Sequence, residues 1–152
     1  MTKDSTLVVC IGSEFRSDDR VGLYLAEKLL YLANKLKKKR LKVEKIEIVD
    51  LGLLEKIKNA KKVIIIDAIK GNRPGRIHIF NPESFKQSSQ VSTHFFNLFD
   101  ILSLGKILYG SNFPNVKIYG IEVKNLEFGR SISKEVKKAA DKLIKLLENN
   151  IT

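Results

Sequence analysis

Leu7-Val8-Val9-Cys10-Ile11-Gly12-Ser13-Glu14-Phe15-Arg16-Ser17-Asp18-Asp19-Arg20-Val21-Gly22 opens as an unbroken apolar run and stops at a glycine. It then crosses a short polar loop and enters a segment of different period. Residues 7–11 are apolar on both alternating faces, the pattern of a strand covered on both sides. From Val21 onward, Leu25, Leu29, Leu32 and Leu36 recur at steps of three and four, which gives one apolar helical face. A buried strand that feeds an amphipathic helix is the first half of a βα unit, and it points to the α/β class. Gly22 falls in the first helical turn, where glycine costs roughly 1 kcal/mol relative to alanine. Close approach of two backbones is a physical reason for it. Asp18 stands where an N-cap belongs, and Asp19 follows in the first turn, where the helix dipole favours an acid.

Outward from this unit the two periods keep alternating. Ile46-Glu47-Ile48-Val49-Asp50 reads as a half-buried second strand, and Leu53–Lys58 as a short helix. Val63-Ile64-Ile65-Ile66 reads as a central third strand that ends at Asp67. The turn Gly71-Asn72-Arg73-Pro74-Gly75 leads into Arg76-Ile77-His78-Ile79-Phe80. A parallel crossover needs roughly a dozen residues or more. The connection before this strand is shorter, so it is expected to run antiparallel at an edge. Asn81 to Thr93 is a polar loop. Phe95–Leu108 is a helix, Val116–Ile121 a fifth strand, and Ser133 an N-cap for a last helix striped by Val136, Ala140, Leu143 and Leu147. The expectation is one α/β domain over residues 1–152, with a five-stranded, mostly parallel sheet and one antiparallel edge strand.

Composition narrows the function classes. The chain has 152 residues, 43% hydrophobic and 30% charged, which suits a folded soluble domain rather than a disordered one. Its longest apolar runs are too short to cross a bilayer, and the N-terminus lacks a basic-then-apolar signal pattern. A cytoplasmic location with no membrane partner is expected. The single cysteine, Cys10, forbids an internal disulfide and a cysteine-cluster metal site. Its place in an apolar strand marks an inert buried thiol. The net charge of +11 raises a nucleic-acid partner as a question. Much of the excess sits in Lys35–Lys42, which reads as a solvated helix end and exit turn without interleaved aromatic residues, so no nucleic-acid partner is expected.

In parallel sheets, sites form beyond the carboxyl ends of the strands. That rule selects Asp18-Asp19 after the first strand and Asp67 after the third. His78 alternates along an edge strand as a surface residue, and His94 precedes a helix. Asp19, Asp67 and His94 together form a possible three-ligand metal site with open positions. The structural alternatives stand beside it: a first-turn acid, a turn cap and a helix-start or surface histidine. No Gly-x-Ser-x-Gly elbow and no Gly-x-Gly-x-x-Gly loop occurs, which weakens the serine-nucleophile and dinucleotide readings.

The ordered set of motifs resembles the hydrogenase maturation proteases. Cys10 to Gly22 is similar to that family's strand, loop and acidic pair. Ile64-Ile65-Ile66-Asp67-Ala68 resembles its strand ending in Asp-Ala, Asn72–Ile77 its Pro-Gly turn, and Ser92-Thr93-His94 its loop histidine. Tyr119–Glu122 and Ile132–Val136 resemble its late strand and last helix. The resemblance implies a three-layer α/β/α sandwich. It also implies an endopeptidase that cuts a C-terminal extension from a nickel–iron hydrogenase large-subunit precursor. By motif, the metal-contacting and catalytic positions fall on Asp19, Asp67 and His94. The nickel arrives with the precursor, so no intrinsic cofactor is expected, and a monomer is expected. Ser13, Arg20 and the short Asp50-Leu51-Gly52 depart from the family pattern and leave the choice of hydrogenase open. The competing readings are a self-contained metallohydrolase on the same three residues and a basic nucleic-acid-binding module.

Overall fold

In the computed structural model, which describes residues 5–82, 93–129 and 131–151 and only the backbone course of 93–97, five strands form one sheet. They are β1 (Thr6–Ile11), β2 (Leu41–Ile46), β3 (Lys62–Lys70), β4 (Ile77–Phe80) and β5 (Asn115–Val123), in the order β2-β1-β3-β5-β4. β1 pairs in parallel with β2 and β3, and β3 with β5. β4 runs antiparallel to β5 at the edge, as its short connection requires.

Among the described residues four α-helices cover the two faces: α1 (Val21–Lys35), α2 (Gly52–Ile57), α3 (Thr93–Tyr109) and α4 (Lys134–Ile151). Strand alternation assigns the layers. Val8 and Cys10 of β1 and Ile64 and Ile66 of β3 pack with Leu25 and Leu29 of α1 and Leu143 and Leu147 of α4. Leu7, Val9 and Ile11 of β1 and Val63, Ile65 and Ile69 of β3 pack with Leu53 and Ile57 of α2 and Leu98 and Leu102 of α3. The result is the three-layer α/β/α sandwich. β1 and β3 read as continuous apolar runs because helices bury both their faces.

Two strands differ from the sequence reading by more than three residues at a boundary. The second strand is 41–46, not 46–50. Its limits follow from a ladder with β1 that runs from Thr6↔Leu41 to Ile11↔Ile46. An edge strand keeps one side toward solvent, and its lysines and Glu44 hide the strand pattern. Residues 47–51 form a loop instead, in which Val49 is buried and Ile48 exposed. The basic stretch Lys35–Lys42 is therefore partly strand: α1 ends at Lys35, and Leu41 and Lys42 begin β2. It lies at the amino edge of the sheet. The third strand continues past Asp67 to Lys70, because β5 pairs with it throughout, Asp67 opposite Gly120.

Candidate acidic site at the carboxyl edge

The approach of α1 to β1 rests on two glycines. A Cβ on Gly22 would overlap the carbonyl of Ile11, and a Cβ on Gly12 would lie 2.5 Å from the carbonyl oxygen of Asp19. Backbone contact between strand end and helix start is thus the reason for the helix glycine. A 3-10 turn, Ser17–Arg20, precedes α1 and contains both acids.

The neighbouring acids do different things. Asp18 is buried and is no N-cap. Its Oδ2 accepts from the backbone N–H of Lys124 and of Asn125, both at 2.8 Å, and from the Ser133 hydroxyl at 3.1 Å. Its Oδ1 accepts from the Ser133 N–H at 2.7 Å. Ser133 keeps the N-cap position, with its carbonyl accepting from Lys137 N–H, but its hydroxyl serves Asp18. The same two loops are joined again nearby. The Ser17 hydroxyl donates to the carbonyl of Glu127 at 2.8 Å, and Ser17 and Gly129 exchange backbone partners with each other and with Phe15. Ser17 accepts a φ of 42° in this stitch, a conformation unusual for a residue with a side chain. No local pattern could have revealed the clamp, because its partners lie 106–115 residues away in sequence.

Asp19 and Asp67 come together. Both are buried. Burial first, and then the negative charge of Asp19, hold the Asp67 carboxyl well above the usual carboxylate range. The Ala68 N–H, which donates to Oδ1 of Asp67 at 2.8 Å, acts in the opposite direction. Asp67 sits between Ile65 and Ile69 on the face covered by α2 and α3. His94 lies in the first turn of α3 by its backbone, and its side chain is outside the described residues. α3 leads through residues 110–112 into the start of β5. It must therefore run opposite to β5, which puts its N-terminus toward the carboxyl edge, where the acids are. Of the loop that precedes His94, residues 83–92 lie outside the described residues. Two of the three expected ligands are thus brought together. Among the described residues there is no group of three or more His, Cys, Asp or Glu able to hold a metal ion. A buried carboxyl whose ionisation is opposed by burial and by a neighbouring acid forms, with that acid, a donor set suited to a cation.

The other singled-out groups are structural. Burial pushes the Cys10 thiol up to about 12, so the nucleophilic thiolate is not available. His78 is half-buried rather than a surface residue. Its Nε2 lies 3.5 Å from Glu122 Oε1, and its ring stacks on Phe80. β5 beside β4 places Glu122 there, a long-range pairing that the edge-strand pattern did not carry. A cavity lined by Asn81, Lys106, Phe113 and Asn115 lies at the amino edge and shares no residue with the acid pair. No helix among the described residues is long and apolar enough to cross a membrane.

Comparison with known proteins gives a consistent result. The family model described as hydrogenase maturation protease matches residues 30–150, a span that contains Asp67 and His94 but begins after Asp19. Protein FrxA of Pyrococcus furiosus is 27% identical over 135 residues, covering 86% of this chain and 93% of that protein. The structure of the [NiFe] hydrogenase maturation protease HycI from Thermococcus kodakarensis KOD1 superposes with a TM-score of 0.80 at 24% identity, covering 98% of this chain and 93% of that one. The maturation protease HybD from Thermococcus kodakarensis gives 0.76 at 22% identity, with 97% and 99% covered.

Proposed function

The chain belongs to the hydrogenase maturation protease family and is an endopeptidase of hydrogenase large-subunit precursors; we propose that it removes a C-terminal extension from the nickel-loaded precursor, with Asp19, Asp67 and His94 contacting the ion. The observation that carries this reading is the electrostatics of Asp67. Burial and the charge of Asp19 both oppose its ionisation, and a cation brought between the two carboxylates reverses that balance. An imidazole from the start of α3 adds a nitrogen donor that nickel accepts. In this proposal the ion belongs to the substrate. It identifies a precursor that is ready to be cut and fixes the segment to be cut against the acid pair, so that hydrolysis becomes an oriented, local event. Either carboxylate is then placed to accept a proton from the attacking water. The protein acts in this way as an aspartic-type, metal-recognising processing enzyme, a cytoplasmic monomer. Incubation of the purified chain with nickel-loaded and nickel-free large-subunit precursor tests it. A C-terminal mass loss is expected only with the loaded form; cleavage of both forms alike would remove the metal from the recognition step.

A further inference from the structure

Four large apolar side chains stand in solvent on the loops that leave the carboxyl edge. They are Phe15 at 51% exposure, Ile48 at 76%, Leu51 at 61% and Phe128 at 83%. Phe15 comes from the loop after β1, Ile48 and Leu51 from the loop after β2, and Phe128 from the loop after β5. The same edge holds Asp19 and Asp67. Resting on the function proposed above, we propose that these side chains form an apolar collar that docks the C-terminal segment of the precursor, an extended polypeptide bearing apolar side chains, beside the acid pair.

The collar is built rather than loose. Gly129 N–H donates to the Phe15 carbonyl at 2.9 Å, and Ser17 N–H donates to the Gly129 carbonyl at 2.9 Å. The Asp18 carboxylate ties the same β5–α4 loop from below. Arg16 lies 5.3 Å over the ring of Phe128, a cation–π contact that steadies the ring. On the other side, Gly12 N–H donates to the Ile46 carbonyl at 3.1 Å, joining the first loop to the second. In that second loop Val49 turns inward, while Asp50 Oδ1 accepts from Gly52 N–H at 2.9 Å, so Ile48 and Leu51 are left pointing out. Ordering exposed apolar side chains in this way has no benefit for folding, whereas a preorganised apolar surface lowers the entropy cost of binding. Such surfaces mark interaction sites.

Charge argues against an anionic occupant. The chain as a whole carries +11. The exposed or half-buried charged residues described in loops 12–20, 47–51 and 124–129 are four acidic against three basic, and loop 71–76, which leaves the same edge after β3, adds Arg73 and Arg76. Most of the positive excess lies elsewhere, so the collar is neither a phosphate-binding nor an anionic surface. Exposed apolar side chains on a rim of nearly balanced charge, beside a buried acid pair, fit an extended polypeptide segment with apolar side chains better than an anionic ligand.

The experiment is steady-state processing of nickel-loaded precursor by the full chain, with Tm measured in parallel. The double variant Phe15→Ser with Phe128→Ser is expected to raise KM about tenfold or more, with the loss carried by KM rather than kcat and no fall in Tm. Ile48→Ser with Leu51→Ser should do the same. Ile107→Ser, an exposed apolar residue on α3, should leave KM unchanged. Between low and high salt the wild-type KM should move less than about threefold, since the collar carries no large excess of either charge and the ion meets buried carboxylates that salt screens little. A double variant with wild-type KM, an equal effect from Ile107→Ser, or a steep salt dependence would each overturn the collar while leaving the protease reading intact. A wild-type chain that cleaves no loaded precursor would overturn both.

Discussion

Asp18 and Ser133, 115 residues apart, are joined by two hydrogen bonds, one from the Ser133 N–H and one from its hydroxyl, both accepted by the buried carboxylate. This makes Asp18→Asn a destabilising change, against its harmlessness at a helix N-cap. An asparagine amide can keep one acceptor oxygen, but its NH2 group then faces a backbone N–H. The expected cost is about 2 kcal/mol, read as a lower urea midpoint with an unchanged slope. Ser133→Ala, which keeps the backbone donor, should cost about 1 kcal/mol or less.

Asp67 predicts a pH dependence of opposite sense to that of a salt-bridged acid. Its folded-state proton affinity is raised by burial and by Asp19, so the native state holds a proton that the unfolded chain has already released. Stability contributed here is full below about pH 4, falls as pH rises through the raised folded pKa, and stays low above it. Asp67→Asn should therefore melt at a higher temperature than wild type at neutral pH. The two curves should converge as the pH falls toward the ordinary carboxylate range. Thermal melts across that range read it directly, and a lower Tm for the variant at neutral pH would contradict it.

Activity should divide the acidic neighbours differently from stability. Asp19→Asn, Asp67→Asn and His94→Ala are each expected to reduce processing roughly 100-fold or more by loss of substrate orientation, while the two carboxamide variants keep or gain thermal stability. Asp18→Asn should lose stability first, and at a temperature well below its lowered Tm it should retain most of its processing. Rates measured well below each variant's Tm, paired with the melts, separate the two classes.

Gly22→Ala sets two magnitudes against each other. Alanine is better than glycine in a helix by roughly 1 kcal/mol. A Cβ at this position overlaps the Ile11 carbonyl, which the β1 ladder holds in place. Overpacking against fixed backbone costs about 3 kcal/mol, so the steric effect wins and the variant should be less stable by about 2 kcal/mol. A stabilised Gly22→Ala would show that strand and helix can separate freely.

The layers and the strand directions were legible because they rest on local signals. Both faces of Leu7–Ile11 and Val63–Ile66 are apolar, and the connection before β4 is too short to cross over. β2 was misplaced because its extent is set by pairing with β1 rather than by its own residues, of which Lys42, Glu44 and Lys45 give no strand signal. Asp19 and Asp67 were legible as strand-exit acids on one sheet edge. The roles of Asp18 and His78 were not, since Asn125 and Glu122, which define them, come from the last strand and its exit loop. The collar escaped for a related reason: exposure of Phe128 is a property of the folded surface and leaves no periodic trace.

The clamp on Asp18 also fixes when, during synthesis, the acidic edge is complete. A chain emerging from the ribosome contains both Asp19 and Asp67 early. The loop that carries Asp19, however, is held by Lys124, Asn125 and Ser133. β5, which closes the central sheet against β3, is itself the last strand made. Vectorial growth therefore yields a half-made chain with its acids unassembled, and the acidic edge is locked only when nearly the whole polypeptide is free to fold.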